Sequence, residues 1–167
     1  MLLPKTISLD GSWDFFYTPQ KFIPGRSALP AAELFTGKIV TPGYWDDHYE
    51  LFSEEDFFGL NARFNPDYRK PYFPMARSLS PHASSSFLIG SGYYRKILNV
   101  DFSPDDRVAL TVGPAMWGCS VYCGGTLAGS VTGYSTASTF DLTELLEPGK
   151  DYELILVVCN VHDDGGA

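Results

Sequence analysis

The stretch that most constrains the fold of this chain is residues 108–160, which contains three apolar, strand-like runs. Glycine turns and one short acidic helical turn separate these runs. Gly124 and Gly125 stand between two of them, and a glycine pair there predicts a tight hairpin because both positions tolerate positive φ. Residues 152–159 are almost wholly apolar, which predicts a strand covered on both faces. Many short strands with one helical turn predict an all-β chain folded as an antiparallel β-sandwich or jelly roll.

Further strands are predicted on the N-terminal side. Residues 13–17 are rich in β-forming side chains, and residues 38–40 form a second short run that Pro42 and Gly43 end. Residues 93–100 and 107–112 also read as strands, and alternation in the latter indicates a half-buried strand.

One short helix is predicted near the last strand. Asp141 and Glu144 have the spacing of a capping box, and three leucines in residues 142–146 provide an apolar face. Pro148 and Gly149 then end the helix.

Two segments lack strand or helix periodicity. Residues 19–35 contain three prolines and are predicted to form a loop with one weak helical turn. Residues 46–91 pass from an acidic to a basic, proline-broken composition, which predicts a long irregular insertion. A chain of 167 residues fits one domain, so we expect a single β-sandwich over residues 1–167 that carries this insertion.

The charge and hydropathy of the chain restrict its partners. The net charge of -8 disfavours nucleic acid and anionic membranes, since both require clustered Lys and Arg. No run approaches the ~20 apolar residues that span a bilayer, so no membrane insertion is expected. We expect a soluble chain that binds neutral ligands or proteins, either cytoplasmic, or periplasmic or secreted if a signal peptide has been removed.

The cysteines and histidines do not form a recognisable metal site. Cys119 and Cys123 would lie roughly 13 Å apart on one strand face, too far for a disulfide. A zinc half-site is the alternative to buried, reduced thiols, but no second pair of ligands has suitable spacing. The three histidines also lack the spacing of a helical metal site. No metal or other cofactor is therefore expected.

Five motifs occur in order across nearly the whole chain. They are DGSWDF at residues 10–15, PGYW at 42–45, YR at 94–95, GY at 133–134 and DLT at 141–143. Together they resemble the N-terminal sugar-binding domain of family-2 glycoside hydrolases, the β-galactosidase, β-glucuronidase and β-mannosidase group. The resemblance implies a galactose-binding-domain-like jelly roll. Gly124-Gly125 departs from the asparagine-glycine that the family usually has at this hairpin.

The resemblance also implies that catalysis takes place in a different domain of the enzyme. In the family, the catalytic glutamates lie in a barrel domain that this chain lacks, so no residue here inherits a catalytic role. Glu54, Glu55 and Asp56 are the densest acidic group, but their adjacency favours a solvated turn over the spaced pair that glycoside hydrolysis needs. The family's closing strand is also missing after Ala167, which predicts a shortened domain whose exposed surface can self-associate.

Two groups of residues are candidates for contact with a carbohydrate. The first consists of rings in irregular segments, whose flat faces suit a pyranose: Trp45, Tyr49, Tyr68, Tyr72 and Phe73. Packing within the loop, or against the missing barrel, is the alternative for these rings. The second group is His162, Asp163 and Asp164, because the resemblance implies that this loop reaches toward the barrel and the substrate. A frayed, hydrophilic terminus is the alternative for them.

Two functions are consistent with these observations. In the first, the chain is the non-catalytic accessory domain of a family-2-like glycosidase, partnered by the downstream domains of that enzyme. In the second, it is a free-standing carbohydrate-binding module.

Overall fold

The computed structural model describes residues 5–43, 45, 48, 51–52, 90–115, 117–133 and 136–161. These ranges include eight β-strands and two single-turn 3-10 helices that are described over their full length. The strands are β1 (Gly11–Thr18), β2 (Gly37–Thr41), β3 (Ser91–Asn99), β4 (Ala109–Val112), β5 (Gly118–Cys123), β6 (Thr126–Thr132), β7 (Ser138–Asp141) and β8 (Asp151–Cys159). The 3-10 helices are Ala32–Leu34 and Thr143–Leu145.

The strands form two antiparallel sheets. One has six strands in the order β2-β1-β3-β8-β5-β6, and the other pairs β4 with β7. The sheets face each other, because Phe140 of β7 lies against Gly129 of β6 and is 5% exposed. The predicted all-β, antiparallel sandwich is therefore confirmed.

The main core lies on the inner face of the six-stranded sheet. Alternate residues of each strand point into it, as the two-residue period of a strand requires. Its most buried members are Phe15, Ile39, Cys119, Val121, Cys123, Leu142 and Leu154. Trp45, Leu51 and Phe52 pack against the same core.

A second apolar cluster covers the outer face of the same sheet. Ile155 and Val157 of β8 point into it, and Phe22, from the loop after β1, lies over Tyr93 and Tyr122 with ring centroids 5.8 and 6.0 Å away. Leu154 of the same strand is fully buried in the main core. The prediction that this strand is covered on both faces is confirmed.

The predicted hairpin is also confirmed. Cys123 pairs with Thr126, and φ is +55° at Gly124 and +79° at Gly125. Positive φ at both central residues is the geometry that matches the twist of the two strands.

The predicted capping box is wrong. Asp141 is the last residue of β7 and pairs with Ala109, so its backbone belongs to the sheet. Its carboxylate accepts a hydrogen bond from the Thr143 N–H at 2.9 Å, while Leu142 occupies the cap position of a single 3-10 turn. The predicted apolar face is nevertheless present, because Leu142 is 1% exposed and Leu146 is 8% exposed.

A row of alternating charges crosses the outer face of four strands. Lys38 of β2 pairs with Asp14 of β1, and Arg95 of β3 pairs with both Asp14 and Glu153 of β8. The Arg95 guanidinium also lies 5.7 Å from the ring centroid of Phe35. The tyrosine-arginine motif at residues 94–95 thus has a structural role: its arginine joins three neighbouring strands.

None of the helices among the described residues has the length and hydropathy needed to span a bilayer. The predicted irregular insertion, residues 46–91, lies mostly outside the described residues.

Candidate binding site at one end of the sandwich

Several loops leave the two sheets at one end of the sandwich, here called the loop end. It is defined by the last row of the six-stranded sheet: Thr18, Ser91, Cys159, Gly118 and Thr132. Strands β4 and β7 also meet here, through the pairing of Val112 with Ser138. The loops after β1, β4, β6 and β8 therefore leave the sheets at the same end.

Two sets of hydrogen bonds fix the chain at the loop end. Asn160 donates its N–H to the carbonyl of Gly90 at 3.1 Å, and its side-chain oxygen accepts the Gly90 N–H at 2.8 Å. The fully buried Ser91 hydroxyl donates to the Gln20 carbonyl and accepts the Phe22 N–H. These bonds hold together the start of β3, the loop after β1 and the exit of the chain after β8.

Trp45 is the one predicted sugar-contacting ring within the described residues, and it lies in the core. Its side chain is 7% exposed and packs edge-on against Tyr17, with ring centroids 5.9 Å apart. The ring lies so close to Gly92 that a Cβ there would overlap it. This placement near the loop end favours the packing alternative for Trp45 and leaves little of the ring for a ligand.

The other predicted contacts lie outside the described residues. These are Tyr49, Tyr68, Tyr72, Phe73, His162, Asp163 and Asp164. For the last three, the structure gives the starting point: Val161, the residue before them, follows Asn160 at the loop end.

A small cavity opens between the two sheets at the loop end. Its volume is about 90 Å³, and its wall contains residues of strands β4 to β7, of the β4–β5 connection and of the β6–β7 connection. The lining residues are Val112, Gly113, Ala115, Cys119, Val131, Thr132, Gly133, Thr136 and Ser138. The cavity therefore combines aliphatic walls with three side-chain hydroxyls.

The buried cysteines and tyrosine of the sandwich are poorly suited to proton transfer or nucleophilic attack at neutral pH. Burial raises the pKa of the Cys119 thiol to about 12 and also raises the pKa of Cys123. Both are free thiols, as predicted. Burial, together with nearby Cys159 and Tyr122, raises the pKa of the Tyr93 phenol to about 12. In the part of the chain that the structure describes, no three His, Cys, Asp or Glu side chains cluster to hold a metal.

The carboxylates of the charge row act as structural ions. The pKa of Asp14 is lowered, chiefly by the hydrogen bond from Lys38 and further by the charges of Lys38 and Arg95. Desolvation acts in the opposite direction but is outweighed. A general acid needs the opposite shift, toward neutral pH. Asp14 is thus held in its ionised form. Glu54, Glu55 and Asp56 lie outside the described residues.

Comparison with known proteins gives a match at the level of structure. No family model and none of the curated proteins searched matches the sequence. The fold matches a Faecalibacterium prausnitzii β-glucuronidase with a TM-score of 0.59 and 20% identity, over 95% of this chain and 22% of that chain. A Ruminococcus gnavus β-glucuronidase matches with a TM-score of 0.58 and 18% identity, over 95% and 23%. The β-D-glucuronidase of Dictyoglomus thermophilum matches with a TM-score of 0.53 and 18% identity, over 96% and 21%.

The chain has the fold of a domain found in β-glucuronidases. The resemblance that the five motifs indicate is therefore confirmed for the fold. The chain spans about 22% of the length of the first of these enzymes, so most of each neighbour has no counterpart here.

Sequence reasoning missed the cavity and its hydroxyls. Thr132 ends β6 and Ser138 begins β7, and Thr136 lies in the connection between them. Threonine and serine at strand ends are ordinary turn residues, so their type gives no signal of a cavity. The packing of the second sheet against the first completes the cavity around them.

Proposed function

We propose that this chain is a non-catalytic accessory β-sandwich of a larger glycoside hydrolase of the family-2 type. In this role it braces the active site of a separate catalytic domain and contributes part of the rim. The observation that carries the proposal is the fold match, which takes in 95% of this chain but only 22% of a β-glucuronidase.

The chemistry of the described residues supports a non-catalytic role. Glycoside hydrolysis needs two carboxyl groups about 5 to 9.5 Å apart, one of them a general acid with a raised pKa. Asp14 has a lowered pKa, and its side chain is engaged with Lys38 and Arg95. The hydrolytic step is therefore assigned to another domain.

The second candidate, a free-standing carbohydrate-binding module, needs an exposed surface for sugar. A flat aromatic platform is one solution, but every aromatic residue that the structure describes is buried or half-buried. The hydroxyl-lined cavity is the feature that favours this candidate. Its small volume makes the accessory role the better-supported proposal.

Two measurements test the accessory role. The 167-residue chain is assayed against aryl galactosides, glucuronides, mannosides and glucosides, and we expect no hydrolysis above background. The reading frame downstream of residue 167 is then sequenced, and a protein extended through the next domain is assayed in the same way. Turnover by the 167-residue chain that one of its own substitutions abolishes would overturn the proposal. So would a reading frame that stops at residue 167.

A further inference from the structure

Strand β6 forms an open edge of the six-stranded sheet. In the order β2-β1-β3-β8-β5-β6 it has β5 on one side and, among the described residues, no strand on the other. Thr126, Leu127, Ser130 and Thr132 are exposed along it. An open edge presents unpaired backbone N–H and C=O groups, which form a template for a further strand.

The backbone groups that point outward from this edge can be assigned. Gly133 donates its N–H to the carbonyl of Trp117 at 2.9 Å, so its backbone faces the β5 side. In an antiparallel pair, alternate residues face the partner strand, and the register shift of this pair lies nearer the hairpin. Val131 therefore faces β5, whereas the N–H and C=O groups of Ser130 and Thr132 point away from it.

The sequence around β6 carries no charge. Residues 108–140 contain no histidine and none of the 12 Lys and Arg or the 20 Asp and Glu of the chain. This stretch includes β4, β5, β6 and all of β7 except its last residue. A chain with a net charge of -8 repels a second copy of itself, and this repulsion is weakest where neither copy presents charge. Depletion of charge is also typical of the buried centre of a protein interface.

The opposite edge of the sheet is protected against pairing. Strand β2 has five residues, against seven in β6, and it carries Lys38, whose side chain is 72% exposed. Pro42 follows its last residue. Short length, lysine and proline all hinder the pairing of edge strands, and β6 has none of these three features.

The occupant that fits this edge is a second copy of the chain. The complement of an uncharged edge of seven residues is another uncharged, unpaired strand of similar length. Antiparallel pairing about a two-fold axis brings the same strand together from both copies, so each copy supplies that complement. We propose that two copies pair through β6, near Ser130, and join their six-stranded sheets into one continuous sheet. This interface does not depend on the accessory role.

Sedimentation equilibrium over a concentration series tests the dimer with the 167-residue chain. We expect a monomer–dimer equilibrium with a Kd on the order of 100 μM, since one strand pair buries less than the ~1,200 Å² of a standard interface. A chain that stays monomeric at millimolar concentration would overturn the proposal.

Amide hydrogen exchange identifies the edge that pairs. The amides of Ser130 and Thr132 should become protected as the protein concentration rises, whereas the amide of Val131, which faces β5, should be protected at every concentration. Association through another face would leave Ser130 and Thr132 unprotected and would overturn the proposal. Protection of both amides in the monomer would show that the chain covers its own edge, and would overturn it as well.

Thr132→Pro removes one of the outward N–H groups. Proline is tolerated on an edge strand where the N–H faces solvent, so the pairing of β6 with β5 should remain. We expect the Kd of the dimer to rise roughly tenfold or more. Thr132→Lys, which does not alter the backbone, provides a second variant if the proline variant does not fold. It should weaken the dimer to a similar extent, although it lowers the net negative charge.

Val40→Lys is the matched control, because it makes the same change of charge at a 53% exposed position on β2, the opposite edge strand. It should leave the Kd of the β6 dimer unchanged. Dimerisation that is equal in the wild type and in the folded Thr132 variants would overturn the proposal, and so would a loss of the dimer in Val40→Lys.

Discussion

Among single residues, Gly92 allows two aromatic rings of the core to pack closely near the loop end. A Cβ at Gly92 would overlap the indole ring of Trp45 and come within 3.0 Å of Phe15. Both rings belong to the main core, where neighbours have little freedom to move aside. We expect Gly92→Ala to lower the free energy of unfolding by about 2 kcal/mol, the cost of overpacking a core.

The matched control is Gly113→Ala, because a Cβ there meets no atom within 4 Å. Urea unfolding followed by tryptophan fluorescence measures both variants. The control should unfold close to the wild-type midpoint, since added bulk has space there. Equal midpoints for the two variants would contradict the tight contact between Gly92 and Trp45.

Asp14 gives the charge row a measurable dependence on pH. Its pKa is lowered from 3.8, chiefly by the Lys38 hydrogen bond. Because the folded-state pKa lies below the unfolded value, the stabilisation is fully present above the unfolded pKa and is lost as the pH falls through the folded one. We expect Asp14→Asn to lower the free energy of unfolding by about 1 kcal/mol at neutral pH.

The difference between Asp14→Asn and the wild type should shrink steadily as the pH is lowered below about 4. Denaturant unfolding over a pH series measures it. Asp105→Asn is the control, because this exposed carboxylate takes part in no ion pair or hydrogen bond among the described residues. A destabilisation by Asp14→Asn that does not change with pH would show that charge is not its cause.

Among the structural elements, the β5-β6 hairpin depends on backbone conformation at its turn. Gly125 has φ of +79°, and a Cβ there meets nothing within 4 Å, so only the backbone resists substitution. Asparagine tolerates positive φ and valine does not. We expect Gly125→Asn to change stability by a few tenths of a kcal/mol, and Gly125→Val to lower it by about 1 to 2 kcal/mol. Thermal unfolding of the pair measures the difference; equal melting temperatures would contradict it.

The structural elements differ in how well local sequence predicts them. Strands β1 to β6 and β8 were predictable because turn residues bound many of them and because β-formers, alternating or apolar runs fill them. Strand β7 was not, since its four residues contain one apolar side chain, Phe140, whose burial depends on contact with β6. The same strand takes Asp141, which is why the capping box failed. The cover over the outer face was likewise unpredictable, because Phe22 and Phe35 have no periodic spacing within their loop.

The candidate site was also only partly predictable from local sequence. Trp45 was recognisable as an aromatic residue in an irregular segment, but its burial depends on Gly92 and Tyr17, which are distant in sequence. The cavity joins residues from four strands, and no local pattern marks them. Sites formed by packing between sheets therefore need the structure, whereas turns and strands do not.

At the scale of the whole molecule, the outer face of the six-stranded sheet retains exposed apolar side chains. Val40 of β2 and Ile97 of β3 are each 53% exposed. Only β1 separates their strands, so they lie within about 10 Å across the sheet. We expect the 167-residue chain to self-associate at high concentration through this face, since clustered apolar surface promotes association.

Light scattering over a concentration series measures this self-association. Ile97→Lys should reduce it, whereas Ile7→Lys should not, because Ile7 is 51% exposed but precedes the first strand. A strict monomer at all concentrations would contradict the prediction.

The accessory role predicts a kinetic effect of the segment that follows β8. The Asn160–Gly90 hydrogen bonds hold the chain at the loop end just before Val161, the last described residue. If the accessory role is correct, the side chain of Asp163 or Asp164 reaches the substrate held by the downstream domain. Asp163→Ala and Asp164→Ala are made in the protein extended through that domain and compared by steady-state kinetics. We expect one of them to lower kcat/KM about tenfold, roughly 1.4 kcal/mol of transition-state stabilisation, with unchanged thermal unfolding.

Asp105→Ala is the kinetic control, because Asp105 lies in the connection after β3 at the opposite end of the sandwich. It should leave kcat/KM unchanged. A tenfold loss confined to one of the two tail aspartates would place that carboxylate beside the reacting sugar, since a general loss of stability would also lower the melting temperature. Unchanged kinetics in both tail variants would remove this segment from the active site, and the contribution of the domain would then be limited to bracing the barrel.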